Sequence, residues 1–172
     1  MKIAVMGAGG TGGYFGGRLA RAGLDVTFVA RGKHLEALRA RGLQVQSTHG
    51  DFTLQPAQAT DNPAEIGPVD VILFCVKTYD ALTAAQQMKP LVGAQTVIIP
   101  TLNGIDHLAK IEGVVGEGHV LGGVAHIASN VIAPGVVKQI GALRNLTFGE
   151  AQGGVSARCT ARARSVTMLS RR

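Results

Sequence analysis

The chain has 172 residues, of which 46% are hydrophobic, and a formal net charge of +6. A chain of this length suits one domain with a single sizeable core, and its apolar stretches fall short of the roughly 20 residues that a membrane-spanning helix needs, so we expect no membrane partner. The excess positive charge comes from the arginines of residues 151–172, a segment without acids, which indicates a basic tail rather than a nucleic-acid-binding surface.

A glycine-rich turn follows the first predicted strand. Residues 3–6 are apolar, and residues 7–12 read Gly-Ala-Gly-Gly-Thr-Gly before a helical segment. In such a turn Gly7 allows the sharp bend, Gly9 lets the backbone approach a pyrophosphate, and Gly12 lets the helix pack closely on the strand. The helix N-terminus then binds the anion. The pattern predicts a dinucleotide-binding site formed by Gly7, Ala8, Gly9, Gly10, Thr11 and Gly12.

The residue after the second predicted strand, residues 26–30, is Arg31. Sites that select NAD usually carry an acid here to bind the ribose 2′-hydroxyl, but the nearby acid, Asp25, precedes the strand. The planar guanidinium of Arg31 can instead pair bidentately with a 2′-phosphate, the alternative being an exposed loop arginine. We therefore expect NADP(H) as the cofactor. Lys33 would either add a second positive charge near the phosphate or be an ordinary solvated lysine.

A short helix and a hairpin are predicted next. Residues 33–41 have helical spacing and end at Gly42, which favours a surface helix. Residues 43–46 and 52–54 alternate apolar and polar side chains around a polar turn. This alternation predicts a half-exposed hairpin attached to the main sheet, with His49 solvated in its turn.

Two further strands bring polar residues to the same edge of the sheet. Residues 69–76 form a nearly continuous apolar run, typical of a central parallel strand, and Lys77 follows it. A helix over residues 80–92 leads to a second buried strand, residues 96–101, which Asn103 follows. Because ligands bind at the carboxyl ends of strands in open α/β sheets, Lys77 and Asn103 should share a crevice with the glycine turn.

A β-rich segment completes the predicted fold. A helix over residues 105–112 precedes a strand over residues 120–128, and residues 131–140 and 143–148 predict two more strands. His126 in the first of these could act as a proton donor near neutral pH, but we favour a hydrogen-bonded structural histidine. Strands that alternate with helices predict an α/β, Rossmann-like, doubly wound and mainly parallel sheet.

The cysteines and histidines do not form a metal or redox motif. Cys75 lies in a buried-looking strand and Cys159 in the basic tail, and neither has the spacing of a metal site. His34, His107 and His119 also lack metal-ligand spacing. We therefore expect no bound metal ion. We also expect both thiols to be reduced and the protein to be cytoplasmic.

Five segments, taken in order, resemble the ketopantoate reductase (2-dehydropantoate 2-reductase) family. They are residues 7–14, 29–32, 75–80, 102–104, and 134–135 together with 146–150. The resemblance covers residues 1 to about 150 and implies a cofactor domain for the NADPH-dependent reduction of ketopantoate to pantoate, in pantothenate and coenzyme A biosynthesis. The implied small-molecule partner is an α-keto acid.

The resemblance also implies roles for three of the predicted site residues. Arg31 would hold the 2′-phosphate, while Lys77 and Asn103 would line the nicotinamide and substrate end. Lys77 could attract the substrate carboxylate or a cofactor phosphate, and Asn103 could orient the carboxamide or the ketone. The alternatives are a loop lysine and a turn-forming Asn-Gly pair.

The chain departs from the family pattern after residue 150. In the family a helical second domain follows and supplies the general-acid lysine. The resemblance assigns no such lysine within residues 1–150, so the catalytic acid is unknown. Residues 151–172 are rich in Arg, Ser and Ala, and we interpret them as a truncated or frame-shifted start of that domain. We therefore expect residues 1–150 to bind NADP(H) with little turnover, and the exposed interdomain surface to favour a homo-oligomer. A standalone NADP(H)-binding or sensing module is the alternative.

Overall fold

Strands and helices alternate along the first two thirds of the chain, except where three short strands follow one another between residues 43 and 60. The computed structural model describes the backbone of residues 1–166 and the side chains of residues 1–161. The strands are β1 (Lys2–Met6), β2 (Asp25–Val29), β3 (Leu43–Ser47), β4 (Phe52–Leu54), β5 (Gln58–Thr60), β6 (Val69–Phe74), β7 (Val92–Pro100), β8 (Gly122–Ala133) and β9 (Val136–Gly149). The helices are α1 (Gly10–Arg21), α2 (Gly32–Arg41), α3 (Ala81–Gln87), α4 (Asp106–Val115) and α5 (Ala157–Val166). Within the described backbone, no helix is both long and apolar enough to span a membrane.

The main sheet has five parallel strands in the order β5-β2-β1-β6-β7. Its central strand β1 is buried on both faces: Ile3 and Val5 belong to one core cluster, whereas Ala4 and Met6 belong to the other. Successive side chains of a strand point to opposite faces, so a continuous apolar run is what a strand covered on both sides requires. The prediction of a Rossmann-like, doubly wound α/β fold is confirmed.

Different layers cover the two faces of this sheet. Leu19 of α1 and Leu38 of α2 lie in the first core cluster, together with Val45 of a second sheet. Ala84 of α3 and Ile111 of α4 lie in the second cluster. The first face is therefore covered by α1, α2 and a further sheet, and the second face by α3 and α4.

Helix α1 lies between the two sheets, and glycines on both of its sides make this possible. A Cβ at Gly16 would lie 2.7 Å from a side-chain atom of Phe28 in the main sheet, whereas one at Gly17 would lie 3.0 Å from Leu43 in the second sheet. Gly12 belongs to the first side, and Gly10 and Gly13 to the second. Larger residues on either side would push the layers apart.

The predicted hairpin forms, but its predicted attachment to the main sheet is wrong. Strands β3 and β4 pair antiparallel and belong to the second sheet, whose order is β4-β3-β9-β8. The edge beside β2 is taken by β5 instead, and Leu43 and Val45 are fully buried in the first core cluster. His49, expected to be solvated, is half-buried, and its Nε2 lies 3.2 Å from the carbonyl oxygen of Ala142.

The three strands predicted after residue 120 are two long strands, β8 and β9. They pair antiparallel and meet at a tight turn in which Gly135 has a φ of +80°. Gly141 lies at a register shift within β9, opposite the step from Ile127 to Ala128, so it marks a bulge and not a break. His126 is exposed on β8, which does not fit the hydrogen-bonded structural histidine that we favoured.

Residues after 150 contain a helix that the sequence pattern did not indicate. Cys159 of α5 is 2% exposed and belongs to the first core cluster. Arg158 forms an ion pair with Glu150 at 2.5 Å, and hydrogen bonds from Arg158 and Ser156 lower the pKa of Glu150 to about 2. The ion pair of Arg158 thus holds the start of α5 at Glu150. The side chains of the other arginines in the basic tail lie outside the described residues.

Two glycines of the turn, Gly9 and Gly12, provide a matched test of the close packing of α1 against β1. A Cβ at Gly12 would lie 2.2 Å from the carbonyl oxygen of Gly7 and 2.9 Å from Val5, whereas a Cβ at Gly9 would meet nothing within 4 Å. We expect Gly12→Ala to lower the free energy of unfolding by roughly 1–3 kcal/mol. Gly9→Ala should change it by less than about 1 kcal/mol, because the N-cap preference for glycine over alanine opposes the lower unfolded-state entropy of alanine. Urea unfolding followed by circular dichroism measures both, and equal midpoints for the two variants would refute the close contact at Gly12.

Candidate functional site

A crevice of about 630 Å³ lies at the carboxyl ends of β1, β2, β6 and β7. From β1 the chain continues to β2 on one side and later returns to β6 on the other, so the crevice lies at the switch point where open α/β sheets bind ligands. The predicted site residues that line it are Gly7, Ala8, Gly9, Gly10, Thr11, Arg31, Lys77 and Asn103. Gly12 does not line the crevice but packs the helix against β1.

The glycine turn leaves the N-terminus of α1 open to the crevice. The N–H groups of Gly7 and Ala8 both donate to the carbonyl oxygen of Val29 at 3.2 Å, and Gly7 has a φ of +91°. The first N–H groups of a helix have no intrahelical acceptor, and the first turn of α1 carries no acid. The space beside Gly9 is free of protein atoms, so an anion could approach these N–H groups.

Strand β8 forms one wall of the crevice, which the sequence did not predict. Ala125, Ile127 and Ser129 line the crevice as alternate residues of one strand, and the next two residues, Asn130 and Val131, line it as well. A Cβ at Gly10 would lie 2.2 Å from the carbonyl oxygen of Ser129. The second sheet thus lies directly against the N-terminus of α1, and only glycine at position 10 permits this approach.

His34 is a site residue that sequence reasoning missed. Its Nδ1 accepts the N–H of Gly135 at 3.1 Å, so Nε2 carries the proton and donates to the carbonyl oxygen of Ala8 at 2.9 Å. Burial lowers the pKa of His34, and its hydrogen bond to Ala8 opposes this effect. The neutral ring therefore joins the glycine turn to the turn between β8 and β9.

Arg31 lies at the N-terminus of α2 and is exposed. Its Nη2 donates to Oε1 of Gln87 at 2.6 Å, and among the described residues Arg31 itself forms no ion pair. The charge of Arg31 is therefore not compensated by a carboxylate there.

Lys33, considered above as an additional charge, is exposed and lies outside the crevice lining. It is a solvated lysine in this structure.

Lys77 and Asn103 follow β6 and β7, and both are exposed at the mouth of the crevice. Cys75 also lines the crevice, and burial raises the pKa of its thiol to about 12, although a hydrogen bond with Thr101 opposes the shift. This thiol stays protonated at neutral pH, and Lys77 supplies the positive charge on this side. Within the described residues, no group of three or more His, Cys, Asp or Glu side chains is placed to hold a metal ion.

The His34 contacts predict a pH dependence of stability. Its folded-state pKa lies below 6.5, so as the pH falls through 6.5 the unfolded chain takes up a proton that the folded chain does not, and stability falls. We expect His34→Gln to lose less unfolding free energy than the wild type between about pH 7.5 and about pH 5.5. His126→Asn, at an exposed position outside the crevice, is the control. An equal loss in wild type and His34→Gln would contradict the assignment.

Three comparisons with known proteins agree on one family. The family model described as ketopantoate reductase PanE/ApbA matches residues 3–153. An uncharacterized oxidoreductase YkpB of Bacillus subtilis is 37% identical over 153 residues, which are 89% of this chain and 50% of that protein. A 2-dehydropantoate 2-reductase of Mesorhizobium japonicum is 32% identical over 181 residues, which cover 93% of this chain and 55% of that protein.

The solved structure of 2-dehydropantoate 2-reductase from Geobacter metallireducens superposes with a TM-score of 0.91 at 34% identity, covering 98% of this chain and 56% of that one. The chain spans about half the length of the curated relatives it matches.

Proposed function

The chain belongs to the ketopantoate reductase family, and from this premise we propose that it provides the NADP(H)-binding half of a 2-dehydropantoate 2-reductase. The reaction would be the reduction of 2-ketopantoate, a small α-keto acid, to pantoate. One observation carries the proposal: the glycine turn, Arg31, Lys77 and Asn103 lie around a single crevice at the switch point of the sheet.

The residues present fit a dinucleotide with a 2′-phosphate. The N-terminus of α1 offers N–H groups to a pyrophosphate, and no side chain occupies the space beside Gly9. Arg31 offers an uncompensated guanidinium where an NAD-selective site would carry an acid. When bound, NADPH would supply the hydride, and the chain would supply orientation and charge.

The chain's own residues then divide the remaining tasks. Lys77, exposed at the crevice mouth, would attract the carboxylate of the α-keto acid or a cofactor phosphate, and Asn103 would orient the carboxamide or the ketone. His34 uses both ring nitrogens for backbone contacts, and the high pKa of Cys75 disfavours its thiolate. Neither is free to donate a proton to substrate, which agrees with a general-acid lysine supplied by the family's second domain.

The proposed organisation follows the sequence pattern. Residues 1–150 would be the NADP(H)-binding unit, and residues 151–172 the start of a second unit that Glu150 and Arg158 join to the first. The proposed compartment is the cytoplasm, because both cysteines are free thiols.

The cofactor half of the proposal is tested by fluorescence titration with NADPH and NADH. We expect tighter binding of NADPH, and Arg31→Ala should weaken NADPH binding by about tenfold to a hundredfold while NADH affinity changes less than about twofold. Lys33→Ala is the matched control, since it removes an exposed charge two residues away and should change neither affinity. Equal affinity of the wild type for the two nucleotides would contradict the proposal.

The catalytic half is tested by following NADPH oxidation in the presence of ketopantoate. We expect slow turnover that Lys77→Ala and Asn103→Ala each reduce by about tenfold or more, because both residues border the reacting end of the crevice. Cofactor binding with no keto-acid reduction, and with affinity indifferent to both substitutions, would instead support a standalone NADP(H)-binding module.

A further inference from the structure

One hydrogen bond reaches across the mouth of the crevice. Arg31 follows β2 on one side of the switch point, and Gln87 is the last residue of α3 on the other side. The Nη2 atom of Arg31 donates to Oε1 of Gln87 at 2.6 Å, although the two residues are 56 positions apart in the chain. Both side chains are exposed, so this contact does not arise from core packing.

Helix geometry fixes which residue of α3 can make this contact. Asp80 and Ala84 line the crevice, and Gln87 lies three positions after Ala84, on the same side of the helix. The preceding residue, Gln86, is also exposed, but it lies about 100° away around the helix from Gln87. Neither glutamine belongs to the crevice lining. The chain thus offers two neighbouring glutamines, of which only Gln87 holds Arg31.

The chemistry of the acceptor matters for the charge of Arg31. An amide oxygen is neutral, so it takes one of the five guanidinium N–H groups and leaves the positive charge intact. A carboxylate at the same place would take two N–H groups, neutralise the charge and repel a phosphate. A long, exposed arginine also loses less side-chain freedom on binding if it is already held.

We propose that Gln87 is a positioning residue that sets cofactor specificity by holding the Arg31 guanidinium across the crevice mouth for a 2′-phosphate. This role rests on the proposed NADP(H)-binding function. Because Gln87 contacts Arg31 and does not line the crevice itself, its effect is confined to nucleotides that carry the 2′-phosphate.

The test is a fluorescence titration of NADPH and NADH into the wild type, Gln87→Ala, Gln87→Glu and Gln86→Glu. We expect Gln87→Ala to weaken NADPH binding about threefold to tenfold, and Gln87→Glu to weaken it by about tenfold or more. NADH affinity should stay within about twofold in every variant. Gln86→Glu adds the same charge one residue away and should bind NADPH within about threefold of the wild type.

The outcomes separate this role from the proposed function. If the wild type prefers NADPH and Arg31→Ala removes the preference, but both Gln87 variants keep it, the role of Gln87 is overturned and the function stands. If Gln87→Glu and Gln86→Glu weaken NADPH binding equally, general electrostatics explains the effect and the positioning role is overturned. If the wild type does not prefer NADPH, both proposals fail. Urea midpoints equal to that of the wild type establish that each variant is folded.

Discussion

The position of helix α1 between two sheets is the constraint from which the rest of the molecule follows. Gly12 and Gly16 let the helix approach the parallel sheet, and Gly13 and Gly17 let the second sheet approach it from the other side. This close packing presents the N-terminus of α1 at the switch point and brings β8 against Gly10 as a wall of the crevice. The glycine-rich segment therefore has two functions: it forms the open turn, and it allows the layers that enclose the turn to meet.

Burial keeps two of the titratable groups that line the crevice neutral. Burial lowers the pKa of His34 and raises that of Cys75, so both groups are neutral at physiological pH. The cations Arg31 and Lys77 lie exposed at the mouth, on opposite sides of the switch point. The lining also includes one acid, Asp80, so the crevice carries two cations at its mouth and a single carboxylate. This balance suits an anionic ligand that extends from Arg31 towards Lys77.

Local patterns were enough to predict the parallel sheet and the residues around the crevice. The apolar runs of β1 and β6 need cover on both faces, and the residues that follow such strands must meet at one edge, which is where Arg31, Lys77 and Asn103 lie. The second sheet was not predictable in this way, because the pairing of β3 with β9 joins segments about ninety residues apart. The same holds for His34, whose partner Gly135 is 101 positions away. No local signal identifies such partners.

The account depends on the first turn of α1 being the phosphate site. Amide hydrogen exchange of the chain with and without saturating NADPH examines those N–H groups individually. In the free chain the amides of Gly10 and Thr11 lack intrahelical acceptors and should exchange rapidly, whereas a bound pyrophosphate should slow both. Slower exchange confined to residues 9–12, the end of β2 and the β8 wall would support the account. Unchanged exchange at Gly10 and Thr11 with NADPH bound would contradict it.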